Sequence, residues 1–207
     1  MRFVSHCLLD TLLTGKILFT YSIHLSTNKL NNDLLLDLPF DYGQQLDIQA
    51  TKVNEKLPVI VQWQGRRLGA YMHWGLCIDK HSTQKVTESH KPVTLVDAFS
   101  IFRYRPFAEL IQRSRCLVPA TYNNKSLVTF AGIWQRVHLQ NQLLDTYALL
   151  GTFQIEPCTG QTHFHPMLVD NESWERWLKP KTHRFYLEKI IEQGSKQPCA
   201  GKTPACA

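Results

Sequence analysis

Between Phe102 and Arg115 the chain reads FRYRPFAELIQRSR, with Arg103, Arg105, Arg113 and Arg115 set among Phe102, Tyr104 and Phe107. Guanidinium groups pair with phosphate oxygens and aromatic rings stack on bases, so this composition fits a phosphate-bearing strand. A solvated helix face with flanking arginines has the same composition. Upstream, YMHWGL sets Trp74 beside Gly75. An indole offers a flat platform for a base, and a glycine lets a ligand come close to the backbone. The same pair also describes a core tryptophan closing a hairpin, followed by a bulge. His163 and His165 are two apart, so on a strand both point to one face, a geometry that binds metals. A third ligand is missing nearby and Cys158 stands at no standard zinc spacing, so neither a metal nor another cofactor is expected.

These residues need elements to position them. LPVIVQW, the turn QGRR with Gly65, and LGAYMHWG predict a β-hairpin. Asp79 to Pro92 reads as a surface loop, and VTLVDAF as a strand. Pro106 opens a short helix with Phe107, Leu110 and Ile111 at helical spacing. RCLVPA predicts a buried strand ending at Pro119, and VTFAGIWQRV and LLDTYALLGTF flank HLQNQ as a second hairpin. PMLVD reads as a short strand. Asn171 is placed to cap a helix carrying Trp174, Trp177 and Leu178, which Pro180 stops. Trp134, Trp174 and Trp177 read as packing residues. THRFYLEKIIEQ is a last amphipathic segment ending at Gly194, and residues 195–207 read as a frayed tail. Residues 1–50 give only mixed strand and helix pieces. Many strands with few helices predict an α+β domain, spanning 1–194, around a mainly antiparallel, barrel-like sheet.

The bulk numbers agree with a folded domain. The 207 residues are 43% hydrophobic and 19% charged, which excludes extensive disorder. A net charge of +6 and a pI near 9.0 make an anionic partner electrostatically easy. Six cysteines without a CxxC pair argue against a disulfide framework. Asp10 and Lys16 interrupt the apolar start, so neither a signal peptide nor a membrane segment is expected, and the expected setting is a monomer in reducing cytoplasm.

Four segments in order, LPVIV…WGL, DAFS…RCLVPA, FAGIWQRV and YALLGT…HPMLV…WL, resemble the SRAP family (SOS response-associated peptidases, also described as abasic-site processing proteins). The resemblance runs from Leu57 to Leu178. It implies contact with single-stranded DNA through Trp74, Gly75, Thr152 and the arginines at 103, 105, 113 and 115. Family members carry a cysteine exposed as the first residue after Met removal. Its amine and thiol trap the ring-opened aldehyde of an abasic site, which requires both nucleophiles on one carbon skeleton.

The matching positions here depart from that pattern. Arg2 stands where the cysteine is required. The family's Asn-Ala-Arg motif aligns with Asp97-Ala98-Phe99, which loses a phosphate-binding guanidinium and gains a carboxylate. The family's catalytic Glu has no counterpart, because Ala120 to Gly132 contains no carboxylate and the simplest alignment omits a whole hairpin. The family histidine falls on Thr162 without a gap, or on His163 with a shift of one. The expectation is therefore an SRAP-like protein that binds single-stranded DNA without crosslinking to it. Two alternatives stay open: an active crosslinking enzyme with self-processing peptidase and lyase activity, and an interaction protein unrelated to DNA.

Overall fold

Leu57 to Trp74 shows how local sequence sets the framework. The β-branched run of β4 (Lys56–Trp63) and the second run, β5 (Arg66–Trp74), pair antiparallel from Lys56↔His73 to Trp63↔Arg66. Only Gln64 and Gly65 lie between them, at φ +49° and +80°. A two-residue turn with both φ values positive matches the right-handed twist of the flanking strands, and glycine takes its second position without strain.

The computed structural model describes residues 55–78, 92–122, 126–139, 142–155, 160 and 162–196, and adds three short strands, β1 (Leu18–Phe19), β2 (Ile23–Leu25) and β3 (Leu46–Asp47), by their pairing. The expectations for Arg2, for the loop from Asp79 and for the tail beyond Lys196 lie outside the described residues. The remaining strands are β6 (Leu95–Asp97), β7 (Arg115–Tyr122), β8 (Ser126–Leu139), β9 (Gln142–Ile155) and β10 (Thr162–Pro166).

Five strands close a ring. β4 pairs with β5 and β7, β7 with β8, β8 with β9, and β9 returns to β5 through His73↔Thr146 and Trp74↔Tyr147. That last contact is parallel, as are β6 on β9 and β1 on β10; the other pairings are antiparallel. The fold is α+β, with a mainly antiparallel sheet in a ring-like arrangement. Where the family resemblance implies an extra hairpin, β7 and β8 pair directly from Arg115↔Ile133 to Tyr122↔Ser126, so the ring closes without it.

Strand alternation divides the core. Leu57, Val59, Met72, Trp74, Val118, Phe130, Tyr147 and Leu149 converge inside the ring. Their neighbours Ile60, Leu117, Ala131, Ile133, Ala148 and Leu150 point outward, where helices cover them. The first helix, α1 (Arg105–Arg113), starts with Pro106 in its opening turn and buries Ile111. Asp170, rather than Asn171, caps the short 3₁₀ turn Asn171–Ser173, its Oδ1 accepting from the Ser173 N–H at 2.7 Å. The next helix, α2 (Trp174–Leu178), buries both tryptophans. The Trp174 Nε1–H donates to Thr129 Oγ1 at 2.8 Å, and that of Trp177 to the Cys116 carbonyl at 3.0 Å. Trp134 is only partly buried.

The last helix, α3 (Arg184–Lys196), lays Leu187, Ile190 and Ile191 on the outer core. It does not stop at Gly194. That glycine is buried against the backbone of Leu168, where a Cβ would lie 2.2 Å from the carbonyl oxygen, so close approach rather than helix termination accounts for it. Other boundaries differ too. The strand expected over VTLVDAF ends at Asp97, where the chain turns. RCLVPA continues as strand to Tyr122. The strand expected at PMLVD lies instead at Thr162–Pro166, leaving Leu168 a single bridge to Phe130. Among the described residues no helix is long and apolar enough to cross a membrane.

Candidate functional site

The residues singled out by the family pattern meet where β6, β9 and β10 adjoin, but on different faces. Asp97 pairs with Gly151, His165 with Thr152, and His163 with Gln154. Phe153 and Phe164 pack together on the inner side of the ring with centroids 5.0 Å apart, so the alternate residues Asp97, Gly151 and Thr162 share the inner face. His163, His165 and Thr152 occupy the outer one. The ungapped register therefore puts Thr162 on the side of Asp97, and the imidazoles stand across the sheet from it. Asp97 is occupied with its own turn. Its Oδ2 accepts from the Ser100 N–H at 3.0 Å, and the Ser100 hydroxyl donates to the Asp97 carbonyl at 3.4 Å.

His165 is half-buried, and burial followed by the neighbouring His163 lowers its pKa below the ordinary histidine value. The native state thus favours neutral His165, while the unfolded chain takes up the proton near its ordinary pKa. The stability this contributes is present above that value and lost as the pH falls through it toward the lowered one. Melting curves between about pH 7.5 and 5 should show a larger loss for the native protein than for His165→Gln. Equal losses would exclude the effect. Among the described residues no three His, Cys, Asp or Glu side chains gather as a metal site.

The structure buries four of the proposed DNA contacts, Trp74, Gly75, Arg115 and Thr152. Trp74 is 5% exposed, packed inside the ring with its Nε1–H directed to the Thr94 carbonyl at 3.3 Å. No base can stack on it. The closure of β5 onto β9 at Trp74↔Tyr147 encloses the indole, and Gly75, also buried at φ +125°, donates to the Tyr147 carbonyl at 2.8 Å. Arg115 is 2% exposed. Its guanidinium donates to the carbonyls of Ile111, Trp177 and Lys179 and lies 5.9 Å from the Trp177 ring centroid. Thr152 is buried in the β9–β10 pair.

Arg103, Arg105 and Arg113 remain at the surface. Arg105 bonds Glu109 at 3.0 Å, an exposed pair one helical turn apart. Arg103 lines a shallow groove of about 360 Å³, together with Ala98, Phe99, Phe102, Arg184, Ile191 and the two carboxylates Glu188 and Glu192. Phe99 is 59% exposed, far more than an aromatic serving the core. The Arg184 guanidinium lies 4.6 Å from the Phe102 ring centroid and bonds Glu188 at 2.7 Å. This groove joins the turn after β6 to α3, two segments 85 residues apart between Phe99 and Arg184. Sequence reasoning passed over Arg184. The triplet Arg184-Phe185-Tyr186 repeats the basic-aromatic mixture of Phe102 to Arg105 and was the available signal.

No family model and no curated protein matches the chain. Solved structures do. A protein from Bacteroides thetaiotaomicron superposes with a TM-score of 0.58 at 16% identity, covering 83% of this chain and 86% of its own. A phage-related protein from Bordetella bronchiseptica gives 0.60 at 14% identity, covering 84% and 88%. A second Bordetella bronchiseptica protein gives 0.57 at 12% identity, covering 78% and 89%. The likeness is one of fold. At these identities it says nothing of which side chains act.

Proposed function

We propose that the chain is an SRAP-like protein that binds single-stranded DNA, including strands with abasic sites, without forming a covalent bond to them. The observation that carries this reading is Phe99, more than half exposed at the rim of a groove that also holds Arg103 and Arg184. A planar base stacks on the phenyl ring, and the guanidinium groups meet the flanking phosphates. The phenylalanine replaces the family's phosphate-binding arginine and supplies a ring where the enclosed Trp74 offers none. Against covalent chemistry stand the absence of any carboxylate between Ala120 and Gly132 and the engagement of Asp97 by Ser100.

Fluorescence anisotropy with a single-stranded oligonucleotide tests the reading. Phe99→Ala should weaken binding by about 1–3 kcal/mol, the worth of one stacked base, with an unchanged melting temperature. Arg103→Ala should flatten the salt dependence by about 0.7 in log–log slope, one phosphate on a single strand. Asp97→Asn keeps an oxygen for the Ser100 N–H while removing a negative charge, so binding should tighten. Unaltered affinity in Phe99→Ala overturns the proposal. A band that survives denaturing electrophoresis after mixing with abasic-site DNA would instead favour the crosslinking enzyme. No binding at low salt would favour an interaction protein unrelated to DNA.

A further inference from the structure

We propose that a single-stranded nucleic acid held at the Phe99 groove continues over the solvent face of the first two turns of α3, onto a ledge formed by Arg176, Phe185, Tyr186 and Lys189. The inference rests on the groove reading for the class of ligand, but on separate residues for its evidence. From Glu175 to Glu192 the chain carries Arg176, Lys179, Lys181, Arg184 and Lys189 against the carboxylates Glu175, Glu188 and Glu192. The stretch keeps a local excess of positive charge, which complements a polyanion.

Two aromatic side chains stand within it. Phe185 is 51% and Tyr186 46% exposed, with ring centroids 5.6 Å apart and planes at 71°. They point away from Leu187, Ile190, Ile191 and Gly194, which face the core, so packing does not account for them. Lys189 Nζ lies 4.4 Å from the Phe185 centroid, and Arg176 Cζ lies 5.1 Å from that of Tyr186. A cation beside a half-exposed ring sets a phosphate partner next to a stacking surface, the pairing that sequence-tolerant binding of single strands requires. Arg184 connects this ledge to the groove, since its guanidinium sits over Phe102 in the groove wall. An acidic peptide would use the cations but has no need of the rings.

The test uses the full chain and thymidine oligonucleotides of about four and about twelve nucleotides, lengths at the short and long ends of single-strand sites. The native protein should bind the longer strand more tightly. Phe185→Ala combined with Lys189→Gln, both at exposed positions, should weaken the longer strand about tenfold and leave the shorter one and the melting temperature unchanged. If the double variant binds the longer strand like the native protein while Phe99→Ala weakens both, the groove stands and the ledge is refuted. If the double variant is weakened and Phe99→Ala is not, the ledge stands and the groove reading fails. Failure of the native protein to bind either oligonucleotide overturns both. Competition by polyglutamate as effective as by the oligonucleotide would also refute the ledge, in favour of an acidic protein partner.

Discussion

Replacing Arg115 by Met should lower the melting temperature by roughly 6–12 °C, corresponding to about 3 kcal/mol in a domain of this size. The methionine retains an apolar stem of similar reach, so the loss isolates the guanidinium. Three backbone carbonyls accept from that group, and the one of Lys179 accepts from the Thr182 hydroxyl as well, at 2.8 Å. The Ile111 carbonyl belongs to the last turn of α1, and those of Trp177 and Lys179 to the end of α2. Carbonyls at helix ends have no partner within their own helix, and the bonds to Ile111 and Trp177 are buried, so water does not freely replace the lost donor there. Burial acts against the arrangement by lowering the Arg115 pKa to about 10, yet the group stays charged at neutral pH, and the negative ends of two helices favour that charge. The hydrogen bonds decide the sign, because removing the donor leaves the buried Ile111 and Trp177 acceptors with their full desolvation cost. Arg115→Lys should recover little. An ammonium on a flexible stem lacks the planar fork that reaches three acceptors at once. A melting temperature in Arg115→Met within a degree or two of the native protein would show that the clasp contributes nothing.

Gly151→Ala should destabilise the fold by about 3 kcal/mol and weaken oligonucleotide binding along with it. A Cβ at this position would lie 2.2 Å from the His165 carbonyl oxygen and 2.6 Å from Cζ of Phe164. The first contact is with backbone, which cannot swing aside without parting β9 from β10. Gly151 also holds the turn that presents Phe99, because its carbonyl accepts the Ala98 N–H at 2.8 Å while Asp97 pairs alongside. A shift here therefore travels to the proposed stacking ring. Gly160→Ala is the informative comparison. Nothing lies within 4 Å of its Cβ position, so only its φ of +68° opposes the substitution, and the expected loss is about 1 kcal/mol with no change in binding. Equal losses in the two variants would mean that close packing at Gly151 is not the cause.

The Arg115 clasp bears on how the RCLVPA motif should be read. In the sequence it is one of the most specific points of family resemblance, and its arginine joins a basic cluster expected to face DNA. In the fold every side chain from Arg115 to Val118 is buried: the arginine clasps two helix ends, Cys116 packs inside the ring, Leu117 joins the outer core and Val118 the inner one. Gly132 faces Cys116 so closely that a Cβ would stand 2.7 Å from the sulfur. Burial pushes the Cys116 thiol pKa well up, which keeps it protonated and unreactive. A motif of this kind reports the demands of folding, and it is silent on chemistry.

Local order was legible in the chain. The hairpin at Gln64-Gly65, the pairing on either side of HLQNQ, the helix after Pro106 and the apolar face of α3 all follow from turn chemistry and side-chain period, which act over a few residues. What the sequence alone did not decide was which chemically capable residues meet solvent. Trp74 and Phe99 are both aromatic residues beside turns, yet ring closure onto β9 encloses the first and the turn held by Ser100 exposes the second. Arg103 and Arg115 lie in the same basic stretch and differ sharply in burial because α2, 62 residues later at Trp177, lays its terminal carbonyls on one of them. Burial is a property of elements brought together from distant parts of the chain, and no short window of residues contains it.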